Sequence, residues 1–202
     1  MKPRNVVELI VLAALWGASF LFMRIAVPEF GAVALIEARV LIAGLVLLIF
    51  WWIKESATSR ESVVQHWRPI FVVGLLNSSI PFVLFAYSTL YVTGGVAAIL
   101  NGTAPIWVAV IAWLWLRNRL ALNGIIGLVI GFSGVIILVS DELDVSAQGK
   151  TLAIGAAAFA PFLYGIATNY TSEKLRDVSA LSIATFSPVS YTHLTLPTIL
   201  LV

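Results

Sequence analysis

An Asn-x-x-x-Pro pattern occurs twice in this chain, as Asn77-Ser78-Ser79-Ile80-Pro81 and Asn101-Gly102-Thr103-Ala104-Pro105. In a helix, proline has no N–H for the carbonyl four residues back, so Pro81 frees the C=O of Asn77 and Pro105 that of Asn101. Each asparagine then offers a bare carbonyl beside its own amide, and in hydrocarbon such groups must face protein or a water-filled cavity. The chemistry this implies is reversible hydrogen bonding to a solute. A second reading is purely structural: kinked helices whose asparagines bond across a packed interface.

Other groups join this constellation. Trp16, Tyr87, Thr103 and Tyr164 lie within apolar stretches, where an N–H or O–H needs a partner and can also meet a substrate. Trp51, Trp52, Trp67, Trp113 and Trp115 sit near the ends of such stretches and suit an interfacial belt. Arg24 and Glu37 flank a tight hairpin and are candidates for an intramembrane ion pair or for a snorkelling, structural arrangement. Glu8 stands one turn beyond Arg4, which an i,i+4 pair explains. Gly124, Gly127, Gly131 and Gly134 share one helix face, a strip for close packing within the protein or between copies.

The elements that must position these residues are long apolar helices. Stretches at Val6–Val27, Gly31–Ile53, Pro69–Thr93, Val96–Leu116, Leu122–Ser140 and Leu152–Tyr170 are each close to the roughly 20 residues needed to cross a bilayer. Mean hydropathy is +1.01 and charged residues are only 11% of the chain, a balance that excludes a soluble domain. The fold class expected is therefore an all-α polytopic membrane protein. Pro81 falls ~18 Å from the start of its span and Pro105 ~14 Å from the opposite start of its own, at about 1.5 Å per residue. Both breaks thus lie near mid-depth, the place where interrupted helices point to a transporter site.

Charge gives the orientation. Alternating spans put Lys2, Arg4, Lys54, Arg60, Arg68, Arg117, Arg119, Lys174 and Arg176 on one side. The other side carries Lys150, with Glu29, Asp141, Glu142 and Asp144. This bias places the N-terminus in the cytoplasm; the localisation expected is a bacterial inner (plasma) membrane. The basic pI of 9.1 is then topology, and no nucleic-acid partner is expected.

Residues 1–140 are expected to form a five-span unit, 141–150 a hinge, and 151–187 the sixth span with the start of a seventh at Val178–Ser187. From Pro188 to Val202 the chain resembles translated sequencing-adapter DNA, so 188–202 is expected to be a non-native tail and His193 carries no role. A kinked genuine span is the alternative.

Several runs resemble the drug/metabolite transporter superfamily of the EamA type. They are Trp16-Gly17-Ala18-Ser19-Phe20, Ala38-Arg39, Asn77 to Phe82, and above all Gly94-Gly95-Val96-Ala97-Ala98-Ile99-Leu100-Asn101-Gly102-Thr103-Ala104-Pro105, followed by the glycine-spaced fifth span. The resemblance implies two five-span repeats of opposite orientation, ten spans in all, around a central cavity. On that pattern this chain is the first repeat plus the start of the second, a truncated reading frame. It also implies export of small metabolites, amino acids or amphipathic compounds, by alternating access. Arg117-Asn118-Arg119 departs from relatives that carry an acidic residue there.

An intramembrane enzyme would need a nucleophile–base pair or metal ligands at depth. With no cysteine, His66 in a connector and no aspartate inside a span, neither catalysis nor a metal or cofactor is expected. The expected partners are a small-molecule substrate and the lipid bilayer, with either a second copy or a second repeat completing the bundle. The competing class is a non-transporting scaffold that recruits partners through the glycine face.

Overall fold

The structure, a computed structural model, describes residues 3–117, 121–140 and 149–188. Of the expected hinge at 141–150 and tail at 188–202, residues 141–148 and 189–202 therefore lie outside the described residues. Every regular element among the described residues is helical. Six helical stretches are long and apolar enough to cross a membrane: Arg4–Phe30, Ala32–Lys54, Trp67–Ser88, Gly94–Trp115, Leu122–Ser140 and Lys150–Lys174. These fall on the six expected stretches.

The first two spans are single helices, α1 (Pro3–Phe30) and α2 (Ala32–Lys54), joined at Gly31. Gly31 turns the chain with φ 75°, a conformation that a side chain resists. The connector after α2, expected to be a polar loop, instead forms α3 (Ala57–Gln65). Its signal is local: the Ser56 hydroxyl caps the Ser59 N–H at 3.3 Å, as N-cap serines do.

The third span comprises α4 (Trp67–Gly74), a π-turn at Leu75–Ser79, and α5 (Ile80–Ser88). In the π-turn the Ile80 N–H donates to Leu75 O, five residues back. Pro81 explains the location, because a residue without an N–H cannot continue the i→i−4 ladder. The helix stops at Ser88, short of the expected Thr93, because Thr93 serves as N-cap of the next helix, its hydroxyl accepting from Val96 N–H at 3.3 Å. The fourth span is cut in two, α6 (Gly94–Asn101) and α7 (Ala104–Trp115), with Gly102 and Thr103 between them. The expected seventh span begins as a seven-residue helix, α10 (Ala180–Phe186).

Packing centres on the sixth span, α9 (Lys150–Lys174), which runs against α5 on one side and α7 on the other. Ala153, Ala157, Ala160 and Ala167, spaced at helical intervals, are all essentially fully buried. Such small residues let helix backbones approach closely, which drives association where lipid removes the hydrophobic incentive. On the face toward α7, a Cβ on Gly165 would lie 2.9 Å from the Trp107 carbonyl carbon. Beside it, the buried Asn169 Nδ2 donates to Val108 O at 3.0 Å and Gly165 O at 2.9 Å. The fifth span, α8 (Leu122–Ser140), stands at the periphery and touches α6 and, through the Trp107–Phe132 ring contact at 5.4 Å, α7.

One aromatic assignment is corrected. Trp51, expected in the interfacial belt, is buried at 6% exposure, whereas Trp52 is 64% exposed. The reason is α10, which docks on the C-terminal end of α2. Trp51 Nε1 donates to Ser182 Oγ at 2.8 Å, and its ring meets Phe186 edge-on at 4.8 Å. Hydrogen bonding of the indole N–H is what makes burial of the ring favourable.

Candidate functional site

Four helices, α1, α2, α5 and α9, line an open-sided cavity of about 700 Å3. Aromatic rings form most of the apolar surface. Phe20 meets Phe85 edge-on at 5.3 Å, and Phe85 lies 6.3 Å from the Tyr164 ring, so a continuous aromatic wall links α1, α5 and α9. The chain builds this wall because Phe20, Phe85 and Tyr164 each occupy the inward stripe of their helix and belong to the same buried cluster. Polar groups are few. Arg39 Nη2 of α2 donates to Ser19 Oγ of α1 at 2.7 Å, and Trp16 and Tyr164 complete the set.

Of the residues expected to contact substrate, the cavity brings together Trp16 and Tyr164. Asn77, Tyr87, Asn101 and Thr103 lie outside its lining. Asn77 is on the exposed side of the π-turn. The Tyr87 ring meets that of Tyr91, four residues on, at a tilt with centroids 5.3 Å apart. Thr103 is buried, and its hydroxyl donates to Leu100 O at 2.7 Å, closing the break in the fourth span locally. Ser79 does the same at the π-turn, donating to Gly74 O at 3.2 Å. Asn101 ends α6 with its Oδ1 enclosed and without a hydrogen-bond donor among the described residues.

The other expected positions have definite places. Arg24 donates to the carbonyls of Thr89 (3.0 Å) and Val92, the last carbonyls of the third span and its turn. A cation at a helix C-terminus also meets the negative end of the macrodipole. Glu37 is buried at 4% exposure. Arg4 and Glu8 pair at 3.1 Å at the start of α1. In the glycine strip, a Cβ on Gly131 would lie 3.0 Å from Ile106 Cδ1, while at Gly124, Gly127 and Gly134 it would meet no described atom.

Sequence reasoning gave no role to Arg39, Ser19, Phe82 or Phe85. An arginine inside an apolar span was the available signal, and the geometry adds that it faces the cavity.

Comparison with known proteins decides the family. Residues 6–140 match the model of the EamA-like transporter family, about two-thirds of the chain. The chain belongs to this family. Among relatives, Protein PagO of Salmonella typhimurium is 28% identical over 188 residues, spanning 93% of this chain and 60% of that protein. The uncharacterized transporter YvbV of Bacillus subtilis is 26% identical over 158 residues, 77% of this chain and 51% of its own length. Protein PecM of Dickeya dadantii is 25% identical over 125 residues, 62% and 39% respectively. The chain thus spans between two-fifths and three-fifths of these relatives. No solved structure matches. Family and helices together make this a multi-pass membrane protein of a transporter family, not of an enzyme family.

Proposed function

We propose that this chain forms the first half, and the start of the second, of a ten-span secondary transporter that exports small amphipathic metabolites, amino acids among them. Its setting is a bacterial inner membrane with the N-terminus cytoplasmic. The observation that carries this reading is the aromatic-walled cavity between α1, α2, α5 and α9, large enough for a small solute and sited among spanning helices. The printed description of YvbV as a transporter supports the same class. The π-turn at 75–79 and the break at 102–103 supply bending points near mid-span, where rocking of one helix group against another needs them. Asn101 Oδ1 is the polar group left for the completed bundle or its solute to satisfy.

The test is flux in proteoliposomes made with the full-length gene product. Trp16→Ala and Phe85→Ala each remove an aromatic ring from the cavity lining, and each is expected to reduce flux of amphipathic solutes about tenfold, the scale of a lost aromatic contact. Undiminished flux in both variants would remove the cavity assignment.

A further inference from the structure

The cavity is not neutral in its hydrogen-bonding character. Arg39 is the one charged side chain among the described residues that line it. The guanidinium has five N–H donors and no acceptor, and its one hydrogen bond among the described residues is to Ser19 Oγ. Ser19, by accepting there, keeps its own O–H to donate. The Tyr164 hydroxyl and Trp16 Nε1 hydrogen-bond to no described residue, and both can donate. No described carboxylate pairs with Arg39: Glu37, two positions earlier, points to a different face and is absent from the lining. A cavity with one cation and four donor groups in an aromatic shell has a deficit of acceptors and of negative charge. Arg39 stands seven residues into α2, about 10 Å along the helix from Ala32, and its side chain is open to the cavity.

From this we infer that Arg39 is a specificity-determining residue that selects amphipathic anions: a carboxylate is held by the guanidinium, with Tyr164 and Ser19 donating, while an apolar body lies along Phe20 and Phe85. The inference rests on the transport reading and adds to it the charge of the substrate. A planar guanidinium matches a carboxylate bidentately, and charge-assisted hydrogen bonds of this kind are stronger than neutral ones. A neutral amide of the same shape fills the aromatic wall equally well but brings no charge to Arg39.

Titration calorimetry of the full-length protein in nanodiscs tests this with 4-phenylbutyrate and its amide, 4-phenylbutyramide, as probes. The carboxylate is expected to bind about tenfold or more tightly than the amide, the scale of a charge-assisted hydrogen bond. Arg39→Gln is expected to abolish the preference, and Arg39→Lys, which keeps the charge but not the fork, to retain part of it. Nanodiscs with and without phosphatidylglycerol separate a solute site from a headgroup site, and the preference is expected in both. Equal binding of the two probes by the unaltered protein overturns the inference even if Arg39→Gln does not fold, while leaving the transport reading standing. So does a preference that survives Arg39→Gln, or one that phosphatidylglycerol competes away. Binding of neither probe, together with absent flux, overturns both readings.

Discussion

Gly165 and Asn169 show how much a single position controls where α9 meets α7. A methyl group at Gly165 would stand 2.9 Å from the Trp107 backbone and 2.8 Å from Ile111 Cδ1. The side chain at Ile111 can move, but the backbone cannot without parting the helices. Gly165→Ala is therefore expected to destabilise the protein by about 1–3 kcal/mol, the usual range for overpacking, seen as a lower midpoint in detergent unfolding. Asn169→Leu removes two donated hydrogen bonds and is expected to cost about 1 kcal/mol in the same measurement. The glycine strip of the fifth span was legible as a packing face, whereas Gly165 was not singled out. Its partner helix α7 lies more than fifty residues away, and nothing local specifies the pairing. The same limit misplaced Trp51: position near a span end suggests an interfacial ring, and only the docking of a distant helix buries it.

At the scale of elements, the spans were legible because bilayer thickness fixes their length and the solvent fixes their composition. Both breaks were legible as well, since proline removes a specific hydrogen bond wherever it stands. Their forms differ, and that was not foreseeable: Pro81 gives a π-turn in a continuous helix, whereas Pro105, preceded by Gly102, gives a true interruption. Pro81→Ala restores the missing N–H, so the π-turn is expected to tighten toward an α-helix. Stability should hold or rise while flux falls, and a flux unchanged in that variant would deny the π-turn any part in motion. The docking of α10 has its own signature. Hydrogen bonds from Ser179 and then Ser59 hold the Glu55 carboxyl below the usual carboxylate range, slightly opposed by desolvation. A depressed folded-state pKa means that this contribution is present above the unfolded value and is lost as pH falls through the folded one. Protection of the 179–186 amides against hydrogen exchange is expected to drop on acidification below the carboxylate range. In Glu55→Gln that pH dependence should vanish.

At the scale of the whole molecule, the basic residues of the connectors set an expected orientation, and the chain is convenient for testing it because its sequence contains no cysteine. Glu29 and Glu61 are both exposed, on opposite sides of the expected membrane. A membrane-impermeant maleimide added to intact cells is expected to label Glu29→Cys and to spare Glu61→Cys, and the reverse pattern would invert the topology. Less legible at this scale was the cavity. Trp16 and Tyr164 were identified as polar aromatics within spans, but Asn77 and Asn101 attracted the site toward the helix breaks. The wall is set instead by which faces of α1, α2, α5 and α9 converge, and that depends on tertiary packing. The central place of α9 has a further consequence for biogenesis. A ribosome delivers spans in order, so the five that emerge first can meet one another through α1, α2, α5 and α6, while the faces of α5 and α7 that pack on α9 wait unmet. Only when the sixth threads between its neighbours does the assembly lock. A break in the polypeptide between the fifth and sixth spans should therefore be tolerated only if both pieces are made together, and either piece made by itself should be cleared by membrane proteases.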